Sequence, residues 1–313
     1  MSRYALFDSH CDTPYELWRK KEMLTQNSCH IDLAEMNGFD GYAQFFAFCT
    51  YAGLKMGYTC EQLLWEPYHY FMNVLQTSSV GISLCTDTMG MEKAFQENKV
   101  AAFLSLEGAE GIGCDPGKLE LLRASGFTMV NLTWNENNSL AGASAKSGYG
   151  LTKQGKEFVR RAQDLGLMID VSHLSDRAFW DIMDLATKPV VASHSNSRAL
   201  CDHHRNLTDG QYLAICESGG YVGLNLYVPF LSGANVAHMD DVYAHMDHFL
   251  ALCDGHVVLG GDLDGCDQLP AGFSGGKSYE MLSSYLENKG YSSGTIQNIY
   301  CNTIKEVVNL CTM

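Results

Sequence analysis

Short runs rich in β-branched and aromatic residues recur along the chain, and most are followed by a longer stretch with the apolar spacing of an amphipathic helix. The β-rich runs fall at 4–8, 42–49, 100–106, 128–133, 168–171, 190–193, 221–225 and 257–260. Helical patterns fill the gaps at 60–77, 91–98, 119–125, 153–165, 176–186, 209–218 and 240–253. Thr152, Ser175 and Thr208 stand where N-caps belong, and Gly166, Gly219 and Gly255 stand where helices should stop. Eight strands alternating with helices predict an α/β fold, a (β/α)8 TIM barrel, with appended helical matter at 59–98 and 278–311. A doubly wound open sheet is the architectural alternative. No internal repeat, low-complexity stretch or Pro/Ser-rich linker interrupts the pattern. Residues 1–313 are therefore expected to form one barrel domain with a C-terminal helical extension.

Composition narrows the function classes. The 313 residues are 46% apolar and 18% charged, enough apolar mass for a large core. Lys plus Arg number 21 against 36 Asp plus Glu, a formal net charge of −15 that repels a phosphate backbone, so neither nucleic acid nor an anionic membrane is an expected partner. No window approaches a membrane-spanning run, and the N-terminus lacks the apolar stretch of a signal peptide, which leads us to expect a cytoplasmic location. The twelve cysteines are scattered without a C-x-x-C pair and read as reduced, mostly buried thiols.

In a barrel of this kind, active sites form where strands end, because all eight strands point the same way and their following loops converge. Five of those ends carry chemistry-bearing side chains. The first reads Phe7-Asp8-Ser9-His10-Cys11-Asp12, where His10 and Asp12 are two apart and leave the same face of an extended segment. The third ends at Glu107, the fifth at Ser172-His173, the sixth at Ser193-His194-Ser195 and the eighth at Asp262-Leu263-Asp264. A single histidine after a strand is usually structural. Three of the chain's 11 histidines at three separate strand ends, joined by Asp12, Glu107 and Asp262, form a set hard to obtain by chance. Imidazoles and carboxylates without cysteine suit Zn²⁺, and the set exceeds the three protein ligands of one catalytic zinc, matching two ions that share Glu107.

Other clusters read more plainly. Cys201-Asp202-His203-His204 cannot turn four consecutive side chains to one ion and reads as a solvated loop. Asp262-Leu263-Asp264-Gly265 lacks the remaining spacing of a calcium loop. The glycines after Glu107 do not follow G-x-G-x-x-G, and no G-x-S-x-G occurs, so Ser172, Ser193 and Ser195 read as neighbours of the ligands.

The ordered set Asp8-Ser9-His10-Cys11-Asp12, Leu106-Glu107-Gly108, Ile169-Asp170-Val171-Ser172-His173, Ser193-His194-Ser195-Asn196-Ser197-Arg198, His204-Arg205-Asn206 and Gly261-Asp262-Leu263-Asp264-Gly265 resembles the membrane (renal) dipeptidase family, peptidase family M19, from residue 7 to about 272. The resemblance implies a binuclear zinc barrel that hydrolyses dipeptides by attack of a metal-bridging hydroxide. It places His10, Asp12 and Glu107 on one ion and Glu107, His173 and His194 on the other. It also places Arg205 on the substrate's C-terminal carboxylate, for which a bidentate fork is suited, and Asp262 as the acidic group that moves a proton or binds the amino group. Asp264 is the alternative for that last role.

Two departures from the family pattern stand out. Animal members carry a histidine after the fourth strand that steadies the scissile carbonyl, and this chain has Trp134 there, whose indole donates a hydrogen bond but cannot accept a proton. The absence of a secretion signal or lipid-anchor tail leads us to expect a bacterial intracellular type of member, with dipeptides as substrates and with room for a homodimer. The rival readings are a binuclear hydrolase of another bond (a lactone, cyclic amide or phosphoester) and a non-catalytic metal-binding barrel.

Overall fold

The computed structural model describes residues 4–51, 54, 56–146 and 148–312. Its strands are β1 (Leu6–Cys11), β2 (Tyr42–Cys49), β3 (Ile82–Leu84), β4 (Val100–Glu107), β5 (Phe127–Asn131), β6 (Met168–Asp170), β7 (Val190–Val191), β8 (Val222–Leu224) and β9 (Val257–Leu259). All pairings between them are parallel, in the order β7-β6-β5-β4-β2-β1-β9-β8. Ala192, just past β7, bridges in parallel to Val222 of β8, and this contact joins the two ends of the sheet. The open-sheet alternative is thereby excluded, and the fold is a TIM barrel. β3 is an addition to the expected eight, a short strand on the outside of the ring paired with Val100–Ala102.

Local sequence explains the surrounding helices. The helix Cys60–Thr77 has the expected bounds and opens with a capping box in which Thr59 and Gln62 satisfy each other's backbone N–H. Thr152, Ser175 and Thr208 each accept a backbone N–H at the start of Lys153–Asp164, Asp176–Met183 and Asp209–Glu217. Gly166, Gly219 and Gly255 all adopt positive φ after a helix.

Two apolar layers hold the barrel. One lies between the strands and the helical shell; the other fills the N-terminal end of the barrel, where the rings of Phe7, Phe45 and Phe103 stack with centroids 5.0 to 5.6 Å apart. The helix Thr303–Thr312 packs Ile304, Val308 and Cys311 into this second layer and so plugs that end. The buried polar side chains His10, Glu107, His173 and His194 lie at the other end, where the strands terminate. All twelve cysteines are free thiols, nine of them buried. Among the described residues, no helix is long and apolar enough to cross a membrane.

Candidate functional site

β1 runs on through Ser9, His10 and Cys11, three residues beyond the expected end, with a register shift against β2 between Asp8 and Cys11. Asp12 is not in the strand. It stands at the start of the helix Thr13–Lys20, and the turn into that helix brings its carboxylate to 4.0 Å from His10 Nε2. Glu107 closes β4, and His173 and His194 follow β6 and β7. Asp262 follows β9 with φ of 55°, and His173 has φ of 70°, left-handed conformations that non-glycine residues adopt seldom and that cluster at functional sites.

These side chains meet around Glu107. Its Oε1 lies 2.8 Å from His173 Nε2 and 3.5 Å from His194 Nε2, while Oε2 lies 3.6 Å from His10 Nε2. Asp262 Oδ1 is 3.8 Å from the same His10 nitrogen. Two overlapping ligand sets result, His10 with Asp12 and Glu107, and Glu107 with His173 and His194, each with its ligand atoms within 4.8 Å of one another. His10, His194 and Asp262 form a third set of the same kind.

The far side of each imidazole is tied down. His173 Nδ1 donates to Asn135 Oδ1 at 3.0 Å. Ser193 gives its hydroxyl hydrogen to Asp170, so its oxygen accepts from His194 Nδ1 at 2.7 Å and, at 3.4 Å, from His10 Nδ1. With Nδ1 turned to these partners in all three rings, every Nε2 faces inward toward Glu107, those of His173 and His194 lying 3.0 Å apart, and this is the orientation that metal-binding histidines take. Burial also holds His10 down to about 3 and His173 and His194 well below the ordinary imidazole range, so all three are neutral. Burial together with the mutual repulsion of carboxylates pushes Glu107 up to about 8 and Asp12 well up, and burial alone accounts for most of the rise of Asp262 to about 6. His10 Nε2, Asp12 Oδ1 and Glu107 Oε2 are buried without a hydrogen-bond partner. Three neutral imidazoles and three carboxylates crowded together with orphaned ligand atoms fit divalent cations and little else.

Above the cluster opens a cavity of about 490 Å³ lined by Asp12, Glu107, Trp134, His173, Arg205 and Asp262 among others. Arg205 is buried, its guanidinium 5.5 Å from the Phe230 ring, with Nη2 donating weakly to His194 O at 3.4 Å and Nε making no hydrogen bond. Trp134 meets Tyr51 edge-on at 5.4 Å and His173 at 6.3 Å. Asp262 accepts from Asn225 at 3.0 Å and keeps its other oxygen toward His10. Asp264 also borders the cavity, but its oxygens accept from the His30 N–H and the Thr13 hydroxyl, so it fastens two neighbouring segments together. All the residues singled out by sequence thus converge, and the expected solvated loop at 201–204 turns out to support Arg205. The His203 ring packs on Phe230 and accepts the Arg205 backbone N–H. Sequence reasoning missed Asn135, for which the spacing of ligands gives no signal, and did not give Asp170 its role behind Ser193.

The membrane dipeptidase family model, peptidase family M19, matches residues 1–309. The chain belongs to this family. Among relatives of this M19 chain, an Acinetobacter calcoaceticus protein encoded in the PQQ-III 3′ region is 36% identical over 201 residues, 61% of this chain and 64% of that one. A Klebsiella pneumoniae protein encoded 5′ of pqqA is 32% identical over 73% of this chain and 89% of its own length. This M19 chain therefore spans just under two thirds of the first of these relatives and most of the second. Of solved structures, a metallopeptidase of Rhodobacter sphaeroides bound to a phosphinate mimic of the dipeptide L-Ala-D-Ala superposes with a TM-score of 0.90 over 99% of this chain and 100% of its own, at 24% identity. The probable dipeptidase PvdM of Pseudomonas aeruginosa superposes at 0.88 over 99% and 96%, with 19% identity. At those identities the likeness is one of fold.

Proposed function

We propose that this M19 chain is a zinc-dependent dipeptidase, one barrel domain holding two zinc ions, with His10, Asp12 and Glu107 on one and Glu107, His173 and His194 on the other. The observation that carries the reading is Glu107, one buried carboxylate with an oxygen toward each of two ligand sets. Ions held by these residues would supply Lewis acidity for a water nucleophile and for the scissile carbonyl. The protein's own groups do the rest. Arg205 holds the C-terminal carboxylate of the substrate with an Nε that has no other partner and an Nη2 that has only a long bond to the His194 carbonyl, and the buried wall around it keeps water from that pair. Asp262, raised to about 6, stands within reach of the cluster and can take a proton from the water and return it to the leaving amine. Asn225 fixes that carboxylate's orientation. Anchorage of the free carboxylate on Arg205, at a fixed distance from the cluster, suits the site to two-residue substrates, because a longer peptide has no carboxylate at that distance. Trp134 forms a wall of the cavity beside His173.

The test is metal analysis of the purified protein joined to a hydrolysis screen over dipeptides, amidated dipeptides, lactones and cyclic amides. Two zinc ions per chain and cleavage confined to dipeptides with a free carboxylate are expected. One ion or none in an active preparation defeats the binuclear reading, and turnover of lactones in place of dipeptides defeats the substrate.

A further inference from the structure

At the end of the barrel opposite the cavity, two thiols and an imidazole come together from three elements. Cys216 lies in the last turn of Asp209–Glu217, Cys253 directly follows Met239–Leu252, and His256 directly precedes β9. Their two sulfurs and a ring nitrogen lie within 4.8 Å of one another. None of these residues takes part in the chemistry around Glu107, and the N-terminal end of such a barrel serves stability and not catalysis.

We propose that Cys216, Cys253 and His256 form a separate metal site for a thiophilic divalent ion, Zn²⁺ or Cd²⁺, with solvent in the fourth position. His256 Nδ1 donates to the Gly220 carbonyl at 2.7 Å, the outer hydrogen bond that metal-binding histidines carry, which makes Nε2 the coordinating nitrogen of the proposed site. The Tyr212 hydroxyl donates to the Cys253 carbonyl at 2.6 Å and pins the backbone of the second ligand. Cys216 is buried while Cys253 and His256 are half-buried, which leaves a path for the ion from solvent. Zn²⁺ holds sulfur at about 2.3 Å and nitrogen at about 2.0 Å, so a tetrahedral ion spans ligand atoms about 3.5 to 3.8 Å apart. Ligand atoms within 4.8 Å of one another need to close by at most about 1.3 Å to meet it. Binding releases the two thiol protons, and the two thiolates balance the ion's charge. The result is a clamp that joins the ends of two helices to the start of β9, on an element whose other end carries Asp262.

The experiment titrates Cd²⁺ into the zinc-loaded protein and reads the thiolate-to-metal charge-transfer absorption, with metal analysis alongside. None of the ligands proposed around Glu107 is a cysteine, so the band and the dipeptidase activity report on different sites. One tight equivalent with the band is expected for the native chain. The single variants Cys216→Ser and Cys253→Ser should lose the band, and His256→Gln should weaken Cd²⁺ affinity by about tenfold or more. All three should keep the zinc-dependent activity. Should the buried Cys216 variant fold poorly, the half-exposed Cys253 and His256 variants decide alone. Persistence of the band in Cys253→Ser overturns the site. So does recovery of a Cys216–Cys253 cross-linked peptide from the native protein with both thiols absent from a thiol titration, since the pair is then a disulfide.

Discussion

Arg205 carries a full charge into a buried wall where its Nε makes no hydrogen bond and its Nη2 makes only a long one. Such an arrangement is costly unless an anion completes it, and the carboxylate end of a dipeptide does so. Arg205→Ala removes a charge-assisted pair worth about 1.5 to 3 kcal/mol, so KM for dipeptides should rise by about 10- to 150-fold with a smaller change in kcat. If the kinetics of Arg205→Ala are unchanged, the clamp is wrong. Trp134 gives the opposite test. Its ring packs against Tyr51 beside His173, and no hydrogen bond of its indole N–H is found among the described residues. Trp134→Phe should therefore alter mainly KM, whereas a fall in kcat of about 100-fold with KM unchanged would make the indole an oxyanion donor. At this scale the side chains that gather around Glu107 were legible in the sequence, because their residue types are those of ligand chemistry and the strand ends select the place. Their supports were not. Asn135 meets His173, and Asp170 at the end of β6 meets Ser193 behind His194, only in the folded barrel, and nothing in one-dimensional spacing records those contacts. Asn135→Ala should weaken retention of one zinc by about 10- to 100-fold in a chelator competition while leaving the fold intact.

The elements were read most reliably where long apolar runs or caps define them, as at β2 and Cys60–Thr77, and least where the pattern breaks at polar residues. β1 continues through Ser9-His10-Cys11 because those polar side chains are buried at the mouth of the barrel, an environment that periodicity cannot distinguish from a loop. The three-residue β3 and the eight-residue helix Thr13–Lys20 were missed because each is too short to establish a period. The turn after β9 shows how closely an element can be bound to the site. Asp262 and Asp264 both take positive φ there, and a Cβ added at Gly265 would stand 2.2 Å from Asp12 Oδ2 and 2.3 Å from Asp262 Oδ1. Only glycine lets this turn approach both carboxylates. Gly265→Ala must displace one or both, so kcat/KM and zinc content should fall together, with far-ultraviolet circular dichroism unchanged. Full activity in that variant would mean that neither carboxylate position matters.

For the molecule as a whole, the barrel concentrates carboxylates in a buried cluster of a chain that already carries a net charge of −15, and the cost shows when metal is removed. Glu107, held at about 8 in the metal-free chain against an ordinary 4.5, keeps its proton in the folded state where the unfolded chain has lost it. Its contribution to stability is present below the unfolded value and is lost as pH rises through about 8. His10 has the opposite sign. Lowered to about 3 from 6.5, its contribution is in place above 6.5 and is lost only as pH falls toward 3. Between about pH 6.5 and 8 the histidine contribution is therefore flat, and the raised carboxylates weaken the metal-free protein, Glu107 by at most about 1.4 kcal/mol per pH unit and Asp12 in the same direction. On the proposed ligation, bound cations would take the place of the proton on Glu107 and remove its share of that slope, while binding itself would stabilise the folded state by mass action. The gap in Tm between zinc-loaded and chelator-treated protein should accordingly widen by a few degrees from about pH 6.5 to 8. Parallel Tm profiles over that range would show that Glu107 binds no ion.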